Sequence, residues 1–116
     1  MAESIMADIE VNEGDTATIE IDVIQDNGEP MDLTGFTGVC QIRKTVQSPD
    51  ILASPVVTIT DVANGKLQFP RPHNLPIDGD FQNYSYFAYE VKVLDALERG
   101  TPVAKGNYIV IPGVIK

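Results

Sequence analysis

Residues 83–94 alternate with a period of two over their whole length. Phe87, Tyr89, Val91 and Val93 fall on one side, and Tyr84, Tyr86, Ala88, Glu90 and Lys92 on the other. Only an extended chain brings every second residue to one face, so this stretch reads as a strand with one apolar side. A lone strand is not stable. Its apolar face needs a second layer, and its backbone needs neighbours. The rest of the chain must supply both.

Other segments repeat the pattern. Ala17, Ile19, Ile21 and Val23 alternate with Thr18, Glu20 and Asp22. Over residues 36–44, Phe36, Gly38, Cys40 and Ile42 share a face opposite Thr37, Gln41 and Arg43. Val39 interrupts that second, polar face, so both faces read as partly covered. Residues 8–11 begin a first strand, and residues 56–61 are β-branched and extended. Ala63-Asn64-Gly65 turns the chain, and residues 66–69 pair back. Residues 103–115 form the last strand or strand pair, which Gly106 and Pro112-Gly113 bend or end.

Turn chemistry separates these pieces. Asp26-Asn27-Gly28-Glu29-Pro30 supplies the positive φ angles of a tight turn, and Asp78-Gly79-Asp80 is another turn. The prolines of residues 70–76 remove ladder donors, so that stretch is irregular. Residues 92–99 hold tolerable helix formers, but the β-branched run before them works against a long helix. Residues 1–7 carry little pattern and read as loose or as an edge.

About seven strands at this spacing define an all-β fold, an Ig-like antiparallel β-sandwich. The chain's 116 residues leave room for one core, so the expectation is a single domain over 1–116. With no Trp, four Phe and four Tyr, Val and Ile must supply much of that core.

Charge narrows the partners. A formal net charge of −9 repels phosphate, so counterion release offers no binding energy. The expectation is no nucleic acid and no membrane. The acid excess suits a basic protein surface or simple solubility. No basic n-region followed by an apolar h-region opens the sequence. No apolar run approaches the roughly 18 residues of a membrane span.

Little in the chain carries catalytic chemistry. Cys40 and His73 are the sole thiol and imidazole. Cys40 lies in an apolar strand with no basic neighbour to form a thiolate, and His73 lies between prolines. There is no CxxC or HxxxH spacing for zinc, and no Gly-rich phosphate loop. The acidic turns at 13–15, 26–29 and 78–80 could gather at one end of a sandwich, but none matches a calcium loop. Arg43-Lys44 is too small a basic patch for nucleic acid. We therefore expect no catalytic residue, no cofactor and no metal.

The remaining signal is aromatic. Tyr84, Tyr86 and Phe87 cluster on the strongest strand. Alternation buries one of Tyr86 and Phe87 and exposes the other. Tyrosine is favoured at interfaces because it buries area with few rotors and keeps a hydroxyl. The last strand is apolar and terminal, so it reads as an edge open to another chain. The interface candidates are Tyr84, Tyr86, Tyr108 and Ile109.

Asp32-Leu33-Thr34-Gly35, an aromatic, a spacer and Gln41-Ile42-Arg43-Lys44 form a further signature. Asn64-Gly65-Lys66-Leu67, Gly79 with residues 84–93, and Gly106-Asn107-Tyr108-Ile109-Val110 follow it in order. Over most of residues 12–111 this resembles a small tail or baseplate domain of tailed bacteriophages, similar to the N-terminal domain of phage baseplate upper proteins. The chain departs in a longer approach to the Tyr-rich strand, and no shaft or coiled coil follows Lys116. The resemblance implies a free-standing structural or adaptor component of a tail, baseplate or neck. It implies docking to other virion proteins, several copies or a homo-oligomer, and a place in the virion after synthesis in the host bacterial cytoplasm. The alternative is a carbohydrate- or receptor-binding β-sandwich in which Tyr84 and Tyr86 stack on a ligand. The signature residues read as turn formers: Asp32 and Thr34 accept local backbone bonds, and Gly35 permits an unusual backbone angle. Arg43 reads as an ion-pair partner for one of the acids.

Overall fold

The computed structural model describes residues 5–14, 18–25, 27–72, 75–77 and 82–113. Eight strands occur among them: β1 (Ile5–Met6), β2 (Ile9–Asn12), β3 (Ile19–Asp22), β4 (Thr37–Arg43), β5 (Thr58–Asp61), β6 (Lys66–Phe69), β7 (Ser85–Leu94) and β8 (Gly100–Ile111). They form two sheets. The larger runs β1-β8-β7-β4, with β2 also paired to β8, and the smaller runs β3-β6-β5. The protein is an all-β sandwich, with no helix among the described residues.

Alternation predicts the inward faces well. Phe87, Tyr89, Val91 and Val93 of β7 are all buried, as are Cys40 and Ile42 of β4. From the smaller sheet Leu67 and Phe69 meet them, and Val23 and Leu33 join the same cluster. Burying each such side chain is worth about 1.5–3 kcal/mol, which makes this cluster the main force holding the sheets together. Gly38 leaves room for Val57, just before β5. A Cβ there would overlap the Val57 side chain.

The turns behave as their chemistry dictates. The Thr34 amide donates to Asp32 Oδ1 at 2.9 Å, and its hydroxyl to the same oxygen at 2.6 Å. Gly35 follows at φ 83°. This turn seats fully buried Leu33, whose amide donates to the Val62 carbonyl at 2.8 Å. The segment at 95–99 is a tight connection between β7 and β8, closed by Asp95, and not a helix. The Asp95 carboxylate accepts from the Leu97 and Arg99 amides and from Arg99 Nε.

Of residues 1–7, Ile5 and Met6 form an edge strand, one of the two forms expected, and pair with β8 in parallel, as does β2. Antiparallel pairing holds for the other four ladders. Because β1 and β2 take the outer side of β8, the last strand lies inside its sheet and is not an edge. Gly106 does not end it either: β8 continues through it to Ile111. A Cβ at 106 would overlap the Ala7 carbonyl, so glycine is needed where the N-terminal strand approaches.

Candidate functional site

The outward face of the larger sheet collects the polar side chains of three strands. The ladders set Gln41 opposite Glu90 and Glu90 opposite Lys105. The next row sets Arg43 opposite Ala88 and Ala88 opposite Asn107. Side chains on one face of directly paired residues are neighbours, so a row with both charge signs lies beside a row with one cation. Together with Asp8 and Val46 they line a groove of about 590 Å³.

Local bonds set the groove's walls. Arg43 donates through Nη1 to the Ser48 carbonyl at 2.9 Å and through Nη2 to Gln41 Oε1 at 3.1 Å. Its two hydrogen-bond acceptors are thus neutral groups and not the acid anticipated. Asp8 Oδ1 accepts from the Asn107 amide at 3.0 Å. Lys92 Nζ lies 3.8 Å from Glu90 Oε1. Beneath, the Tyr89 hydroxyl donates to the Ala7 carbonyl at 2.6 Å, tying the N-terminal segment to β7. Burial pushes the Tyr89 phenol up to about 12, helped by nearby Cys40 and Asp8.

The four interface candidates separate. Tyr86 is 52% exposed on the outward face, and Tyr84 is 38% exposed beside the start of β7. Phe87 is buried, as alternation requires, with Lys44 Nζ 5.0 Å from its ring centre. Tyr108 is fully buried and Ile109 only 8% exposed. Tyr108 faces inward opposite Phe87, and Ile109 is opposite Tyr86 in a strand flanked on both sides. The structure therefore makes Tyr108 and Ile109 parts of this chain's own packing, because β8 is not an edge.

The chemistry-bearing residues do not converge. Cys40 is fully buried, and desolvation pushes its thiol up to about 12, the opposite of an activated nucleophile. His73 lies outside the described residues, as do Asp15, Asp26 and residues 78–80 of the acidic turns. No group of three metal-ligating side chains occurs among the described residues. Sequence reasoning placed Gln41, Arg43 and Glu90 on wet faces but missed Asp8, Lys105 and Asn107 as their neighbours. Only the β7–β8 register and the parallel addition of the N-terminus bring those together.

The chain is a small two-sheet sandwich with an outward groove and an exposed tyrosine. A family model described as the BppU N-terminal domain matches residues 2–98, so the chain belongs to that family of phage baseplate structural domains. The match spans β1 to β7 and stops before β8. No curated protein matches the chain.

Proposed function

We propose that the chain is a single structural module that joins other proteins of a phage tail, baseplate or neck. It docks through the outward face of the larger sheet, with Tyr86 as the anchor and Tyr84 at its side. The observation that carries this reading is Tyr86 itself. A tyrosine 52% exposed on a central strand has its ring in water, where it gains nothing until a partner covers it. The adjoining rows of Gln41, Arg43, Glu90, Lys105 and Asn107 would supply the polar rim that surrounds such an anchor. In the virion the module would be present in several copies or as a homo-oligomer, after synthesis in the host cytoplasm.

One observation favours a second reading, a glycan or receptor site. The groove carries polar groups from three strands and is large enough for a small ligand. Tyr84 and Tyr86, the residues expected to stack on a ligand, are exposed but do not line this groove, and its one aromatic residue, Tyr89, is buried with its hydroxyl already bonded. Docking is therefore the better supported reading.

Mass spectrometry of purified virions tests the proposal. The chain should be found among the tail proteins, and its loss from particles carrying Tyr86→Ala would follow from docking at this face. Absence from wild-type virions would refute it.

A further inference from the structure

The two sheets are unequal, and the smaller one stops short. β3 pairs with β6, and no strand among the described residues occupies its other side. Facing it, the larger sheet continues through β8 to β1 and β2. Where a fourth strand of the smaller sheet would lie, a groove of about 300 Å³ remains. Ala7, Ile9, Tyr89 and Ala104 line it from the larger sheet, and residues 19–22 line it along β3.

The backbone of β3 is directed at this gap. The Val23 amide donates to the Gly65 carbonyl at 2.8 Å, toward β6. Amide directions alternate along an extended strand, so those of Asp22 and Glu20 point the other way. The opposite end of the larger sheet is treated differently. There Leu52 and Ala53 bond to Ile42, and the Ser54 hydroxyl donates to the Cys40 carbonyl at 2.9 Å. Among the described residues, the chain covers the edge of β4 and leaves that of β3.

We propose that the open side of β3 is a strand-addition site for an extended, basic segment of another protein. Rows across the sheet specify the chemistry. Ile19 and Ile21 face the groove half-buried, so the incoming segment needs apolar residues at alternate positions. Glu20 and Asp22 face outward and are exposed. Asp22 already meets Lys66 at 3.2 Å, whereas Glu20 makes no ion pair with a described residue. The position opposite Glu20 therefore takes Lys or Arg.

A second copy of this chain fits badly. Pairing two β3 strands with their faces matched sets Glu20 opposite Glu20 or Asp22 of the second copy. Like charges directly opposite destabilise a ladder, and a net charge of −9 on each copy adds repulsion. This inference rests on the docking reading above and adds a second joint, at the open edge of the smaller sheet.

A synthetic peptide of about eight residues alternating Lys with Val, the length of a common strand, is the probe. Added to the ¹⁵N-labelled chain, it should shift the Glu20 and Asp22 amides most, less so as salt is raised. Glu20→Pro removes only an outward amide and spares the β6 ladder, and should weaken binding about tenfold. Glu20→Lys should weaken it through charge alone and guards against a folding defect in the proline variant. Equal binding of a Glu–Val peptide, or shifts absent from β3, would overturn the proposal. So would self-association of the wild type that Glu20→Pro removes, since a second copy would then be the occupant. Capture of virion proteins separates the two readings. If Tyr86→Ala loses capture and Glu20→Pro keeps it, docking stands and strand addition falls. If both variants capture as the wild type does, both readings fall.

Discussion

Cys40 and Tyr89 are neutral groups held in the core, and each makes stability depend on pH. Burial raises the thiol from 9.0 to about 12 and the phenol from 10.0 to about 12. The unfolded chain ionises first, so the stabilising effect is fully present below pH 9 and is lost as pH rises toward 12. Urea titrations across that window should show stability falling, and less steeply in Cys40→Ala and Tyr89→Phe. At neutral pH, Cys40→Ala should cost on the order of 1 kcal/mol for the lost packing. Tyr89→Phe should cost about 1 kcal/mol, because it leaves the Ala7 carbonyl without its donor. A flat pH response, or rapid thiol labelling of the folded chain, would contradict this placement. At this scale the sequence was clear for Cys40, whose apolar setting was visible, and misleading for Tyr108. A tyrosine on a terminal strand looks exposed until the strand's second neighbour is known.

Strand assignment followed from alternation wherever one face is wet. β7 has four inward apolar residues in strict alternation, and its limits agree with the sequence to within two residues at the start and none at the end. Pairing was less legible. β8 gains β1 and β2 on its outer side, and the contact depends on residues 99 positions apart, such as Asp8 and Asn107. No local pattern encodes such a partner, because parallel addition needs only an extended segment of suitable length. Gly106 was the available signal, and it marks the close approach of Ala7. Gly106→Val should therefore detach the N-terminal strands. Hydrogen exchange at residues 5–12 should quicken markedly while the β4–β7 ladder stays protected. Unchanged protection of the N-terminal amides would contradict that role. By the same topology, Ile109→Lys should place a charge at a packed position and lower stability.

The whole molecule is a sandwich whose inside was readable and whose outside was only half so. The core follows from which residues avoid water, a property of sequence. The outward groove depends on the register of three strands, which places Glu90 between Gln41 and Lys105. The central claim is that this family member works by joining proteins through that face, with Tyr86 as anchor. Size-exclusion chromatography with light scattering, on the chain mixed with purified tail proteins, tests it most directly. The account predicts a complex for the wild type and none for Tyr86→Ala, with circular dichroism unchanged between the two. A wild-type chain that stays monomeric beside every virion protein, yet binds a glycan tightly, would contradict it.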